Sequence, residues 1–121
     1  MIEIRMTTSR YRMTVTGHAQ PEESEDYRQI CAAVSALTQS LAYSISKLND
    51  ERGALKAFDY RGEPGDMKLK VYPVKWAEVV IRLRFRTYGD GLELLAKSHA
   101  EAVTMIRDGE RIKPDEEEKA V

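Results

Sequence analysis

The chain has 121 residues, 19 basic and 20 acidic side chains, and a formal net charge of −1. That length suits one domain with a hydrophobic core, and the charge leaves no net field to draw in nucleic acid or an anionic membrane. A single cysteine excludes an intrachain disulfide, and no segment approaches the roughly 20 apolar residues that span a bilayer. The N-terminal run Met1-Ile2-Glu3-Ile4-Arg5 alternates and lacks the apolar core of a signal peptide, so a cytoplasmic protein is expected.

Residues 2 to 8 and 11 to 17 alternate apolar and polar positions and predict an antiparallel hairpin. Its buried face would carry Ile2, Ile4, Met6, Tyr11, Met13 and Val15. It ends at Gly17-His18, where glycine removes bulk beside an imidazole. The connection Gln20 to Asp26 holds Pro21 and four acids. It reads as a solvated loop or as a mobile acidic flap that favours basic substrate segments.

A long helix follows, to about Asn49 or Asp50. Ile30, Val34, Leu37, Leu41, Ile45 and Leu48 recur at the helical period and predict its buried stripe. Asp26 and Gln29 have capping-box spacing. Cys31 falls roughly a quarter turn from the centre of the stripe, with Ser35 and Thr38 on the same small, polar side. A structural cysteine would sit more naturally within the stripe.

Gly53 is expected to stop this helix. Leu55 to Tyr60 is a short apolar run, Gly62-Glu63-Pro64-Gly65 a loop or hairpin turn, and Met67 to Val71 an alternating strand bounded by Pro73. Val79 to Thr87 alternates most regularly of all, which predicts a strand with Val79, Ile81, Leu83 and Phe85 buried and Arg82, Arg84 and Arg86 wet. A second helix is expected to open at Gly89-Asp90, capped by Asp90 and Glu93, and to end at Gly109. Its stripe would be Leu92, Leu95, Ala96, Val103 and Ile106, with His99 packed inside it or serving as another partner for Cys31. Residues 110 to 121 read as a charged flexible tail after a single domain over 1 to 109. The expected class is α/β of the α+β kind, a small mixed or antiparallel sheet with two main helices.

Cys31 and His18 arrive from different elements, as a thiol nucleophile and its base commonly do. A thiolate near a helix N-terminus can attack a carbonyl, an imidazole can protonate the leaving amine, and first-turn N–H groups can hold the oxyanion. One cysteine and two distant histidines do not make a zinc site, and the glycines match no phosphate-binding fingerprint, so no metal or cofactor is expected.

Val15-Thr16-Gly17-His18-Ala19 followed by Ile30-Cys31-Ala32-Ala33-Val34-Ser35-Ala36-Leu37 resembles the ribosomal-processing cysteine protease family, often called Prp. The resemblance is strongest over residues 14 to 48. It implies a compact α/β homodimer with Cys31 and His18 as the catalytic pair and a protein substrate; Gly17 beside the imidazole, Ser35 on the cysteine's side of the helix and Asp26 as a stand-in for the family's aspartate are the candidate supporting residues. That substrate would be a large-subunit ribosomal protein with a short N-terminal extension, or a phage structural protein. Family members carry Gly-x-Asp-Ile-Val-Cys before the helix; here Arg28 stands three residues before the cysteine, and Asp26 two residues earlier. A noncatalytic interaction module on the same fold is the alternative that this departure suggests.

Overall fold

The computed structural model describes residues 1–18 and 25–115. Its elements in chain order are β1 (Ile2–Thr7), β2 (Arg12–Thr16), α1 (Glu25–Arg52), β3 (Leu55–Glu63), β4 (Asp66–Pro73), α2 (Glu78–Ser98), β5 (Val103–Arg107) and β6 (Glu110–Arg111). Short 3₁₀ turns precede β2 and α2. The strands form one mixed sheet in the order β3-β4-β2-β1-β5-β6, in which only β1 and β5 run parallel. The α/β class with a small sheet and two main helices is therefore as the patterning indicates.

Alternation fixes the inner face of the sheet. Ile2, Ile4 and Met6 of β1, Met13 and Val15 of β2, Met67, Leu69 and Val71 of β4, and Val103 and Met105 of β5 are all buried. Helix α1 meets this layer with Ile30, Val34, Leu41, Ile45 and Leu48 of the predicted stripe; Leu37 is only partly buried, and Thr38, expected on the polar side, is buried with them. It ends at Gly53, whose φ of 63° and N–H bond to the carbonyl of Asn49 close the last turn. The start differs from expectation. Glu25 and Asp26 are already helical, so Asp26 does not cap α1 with Gln29, and the acidic segment 20–24 lies outside the described residues.

The region after residue 78 needs the largest correction. Val79 to Thr87 is not a strand but the first half of α2. Ile81, Phe85, Gly89, Leu92 and Ala96 are its buried positions and recur at helical spacing, whereas Val79 is 60% and Leu83 53% exposed. The period-2 pattern is a coincidence of Arg residues placed between two helical faces. Arg82 and Arg86 stand one turn apart on α2, with Arg84 on another side of the helix. Arg82 donates to the Tyr11 hydroxyl at 3.1 Å and lies over its ring, Arg84 donates to the Ser44 carbonyl at 2.8 Å, and Arg86 is exposed.

The glycines at 89 and 91 do not open a helix either; they lie inside α2. A Cβ at Gly89 would crowd the Met6 side chain, and one at Gly91 would come within 3.2 Å of two Leu37 carbons. Both let α2 approach its neighbours closely. Asp90 and Glu93 accept from Arg107 of β5, at 2.7 and 3.3 Å, in place of capping.

Val103 and Ile106 belong to β5, so the predicted second helix stops short of them. Gly109 lies in the β5–β6 turn. Within the segment expected as a tail, Glu110 and Arg111 pair with β5, Ile112 donates its N–H to the Met105 carbonyl, and 116–121 lie outside the described residues. No helix among the described residues is long and apolar enough to cross a membrane.

Candidate active site

His18 follows the end of β2 and is held by backbone on both sides. On one side the Met1 nitrogen donates to the His18 carbonyl at 2.6 Å, prolonging the β1–β2 ladder beyond the Glu3–Thr16 pair. On the other, Gly17 donates its N–H to the carbonyl of Gly65 at 3.0 Å, prolonging the β2–β4 ladder beyond Thr16–Asp66. Gly17 has a φ of 89°, and a Cβ there would run into the Met1 carbonyl. Left-handed geometry and close approach together require glycine before this histidine.

Cys31 comes from α1. It is partly exposed and in no disulfide, and it lines a cleft of about 280 Å³ whose wall also includes His18. The helix supplies Cys31, Ser35 and Gln39 in one row at four-residue spacing, offset by one residue from the buried row that begins at Ile30 and Val34. The opposite wall is the β3–β4 hairpin, with Tyr60, Gly62, Glu63, Pro64, Gly65 and Asp66. Pro64 followed by Gly65, whose φ is 73°, has the composition of a type II turn and closes the Glu63–Asp66 pair. The sequence marks this hairpin only as a turn signal. Its contribution of a whole cleft wall depends on β4 pairing with β2, which no local pattern reveals.

Of the other expected residues, Gly17 and Ser35 line the cleft. Asp26 is exposed in the first described turn of α1 and is not among the lining residues. Neither is His99, which is the C-cap of α2 and not a member of its buried stripe. Its Nδ1 is 3.7 Å from Glu101 Oε1, and its backbone carbonyl receives the N–H groups of Ala102 and Val103.

Cys31 is the seventh residue of α1, not one of its first turn. Its N–H therefore belongs to the helical ladder and is not one of the orphan donors of a helix start. The oxyanion role expected of first-turn N–H groups falls away at this position. Among the lining residues, the Thr38 hydroxyl donates to the Ser35 carbonyl at 3.2 Å, and the neutral side chains of Ser35, Gln39 and Tyr60 are further donors that could serve a developing oxyanion. Two carboxylates stand in the hairpin wall, Glu63 and Asp66, and Asp66 is engaged by Arg61 at 3.1 Å. The cleft thus brings together a thiol, an imidazole, neutral donors and acids, and a thiol with an adjacent base is the pairing that acyl transfer through a thioester uses.

Over residues 1–104 the chain matches the family described as cysteine protease Prp. Among solved structures it is similar to an essential ribosomal processing protease Prp from S. aureus in complex with a substrate peptide, with a TM-score of 0.66 at 13% identity, covering 88% of this chain and 99% of that one. The same type of S. aureus protease with a covalently linked product peptide gives a TM-score of 0.64 at 17% identity, with 88% and 99% covered. The SMU.848 protein of Streptococcus mutans gives 0.64 at 21% identity, with 88% and 90% covered. At these identities the likeness is one of fold. No curated protein matches the chain by sequence.

Proposed function

The chain belongs to the cysteine protease Prp family, and on that premise we propose that it is a cysteine endopeptidase with Cys31 as nucleophile and His18 as general base and acid. The observation that carries this reading is that the only cysteine and the histidine ending β2 line one cleft from two independent elements. His18 takes the thiol proton as Sγ attacks the scissile carbonyl carbon. The tetrahedral intermediate collapses, the C–N bond breaks, and His18 returns the proton to the leaving amine. Water then gives a proton to His18 and attacks the thioester, the S–C bond breaks, and the sulfur regains its proton as the carboxylate product leaves.

The proposed substrate is a large-subunit ribosomal protein carrying a short N-terminal extension, in keeping with the S. aureus relative described as a ribosomal processing protease. The cleft that would receive it is lined by a row of α1 and by the β3–β4 hairpin. The proposed setting is the cytoplasm and the proposed assembly a homodimer. Support for the latter comes from α2, where Val79 and Leu83 are exposed apolar side chains four residues apart.

Incubation with the extended ribosomal protein, read by intact mass, tests the reading. The parent protein should release one N-terminal fragment, and the Cys31→Ala variant none. Cleavage by both proteins would reject the assignment. Equal binding of the substrate by both without any product would favour the noncatalytic interaction module.

A further inference from the structure

We propose that Gly65, in the β3–β4 turn, is a positioning residue for His18: its lack of a side chain provides the surface on which the imidazole rests. The inference rests on the role assigned to His18 above. A Cβ built on Gly65 would lie 3.0 Å or less from Nε2, Cε1 and Cδ2 of His18. Real Cβ atoms do not approach a ring so closely, so any other residue would push the imidazole away at its Nε2 edge. The same residue binds the backbone beside the ring, since the Gly65 carbonyl accepts the Gly17 N–H at 3.0 Å. One turn residue therefore meets both the main chain leading into His18 and the Nε2 edge of its side chain. Pro64, with its restricted φ, stiffens the turn immediately before it.

Left-handed geometry alone would also favour glycine at position 65, so the two causes must be separated. Gly109 allows this. It lies in the β5–β6 turn with a φ of 85°, close to the 73° of Gly65, yet a Cβ there would meet nothing within 4 Å. Alanine at either position carries the backbone penalty of a left-handed non-glycine residue. Only alanine at 65 also displaces the histidine. A misplacement of this kind near reacting groups can lower turnover by about a hundredfold.

The experiment compares Gly65→Ala, Gly65→Asn and Gly109→Ala with the parent, asparagine being the side chain that best tolerates positive φ. Three quantities are read: unfolding midpoint, the imidazole ¹H–¹³C resonances of His18 with their pH titration, and kcat and KM on the extended ribosomal protein. The expected result is similar destabilisation by the two alanine changes. Both Gly65 variants should shift the His18 resonances and lower kcat at least tenfold with little change in KM, while Gly109→Ala leaves both as in the parent. In the unmutated protein, nuclear Overhauser contacts should join the Gly65 Hα protons to the His18 ring. Absence of those contacts, or His18 resonances moved no further by the Gly65 changes than by Gly109→Ala, would overturn the proposal. Shifted resonances in a protein that cleaves nothing would uphold the contact and reject the protease reading instead.

Discussion

Gly17 donates its backbone N–H to the carbonyl of Gly65 across 3.0 Å, and this bond joins the strand that delivers His18 to the hairpin forming the far wall of the cleft. Two glycines at positive φ thus meet at the histidine, one preceding it and one against its Nε2 edge. The β-sheet ladder is what brings them together, since β2 and β4 are neighbours although about 50 residues separate them in sequence.

Replacing Gly17 tests this junction. Gly17→Ala must adopt a left-handed conformation, at roughly 1–2 kcal/mol, and must also push back the Met1 carbonyl. The expected outcome is a lower urea midpoint and faster hydrogen exchange at residue 17. An unchanged midpoint would mean that the approach to Met1 is looser than described.

Helix α2 makes a different prediction from a half-wet strand over the same residues. Phe85 is fully buried and meets the Tyr11 ring edge-on with centroids 6.3 Å apart. Phe85→Ala should cost about 3–5 kcal/mol. Leu94 is 63% exposed, so Leu94→Ala should stay within about 0.5 kcal/mol of the parent. Comparable losses from the two changes, measured by denaturant unfolding, would contradict this helix orientation.

Asp108 ties the β5–β6 turn to the end of β1. Its carboxylate accepts the Thr8 N–H at 2.6 Å and the Thr8 hydroxyl at 2.9 Å, while its own φ is 51°. Asp108→Ala should lose about 1–3 kcal/mol. Asp108→Gly relieves the backbone but not the missing acceptors, so it should recover only part of the loss. Full recovery in urea unfolding would assign the effect to strain alone.

The exposed apolar positions of α2 carry the expectation of a dimer. Sedimentation at micromolar concentration should give a mass near two chains for the parent and near one for Leu83→Glu, with helical content retained. A parent mass near one chain would remove the dimer.

Much of this fold is legible where burial has one period. The β1–β2 hairpin and most of the stripe of α1 follow directly from alternation and from the 3.6-residue repeat, because each of these elements buries a single face; the exchange of Leu37 for Thr38 in that stripe does not. The reading fails at Val79 to Thr87, where arginines reach a hydroxyl and a carbonyl from positions that resemble the wet side of a strand. Gly89 and Gly91 mislead for a related reason. They mark close packing against Met6 and Leu37, which depends on neighbours distant in sequence. At the site, the two motifs single out His18 and Cys31, and both line the cleft. The hairpin wall and the ring contact of Gly65 need the pairing of β2 with β4, and local sequence does not encode a partner strand.

The measurement that tests the central claim most directly is the mass of the enzyme itself during turnover. An acid-quenched reaction with the extended ribosomal protein, followed by proteolysis and mass spectrometry, should show the peptide containing Cys31 heavier by the released N-terminal fragment less one water. The thioester should be absent from Cys31→Ala, and its formation should be strongly slowed in His18→Ala. Substrate cleavage that proceeds undiminished in Cys31→Ala, with no adduct on the parent cysteine, would contradict the account.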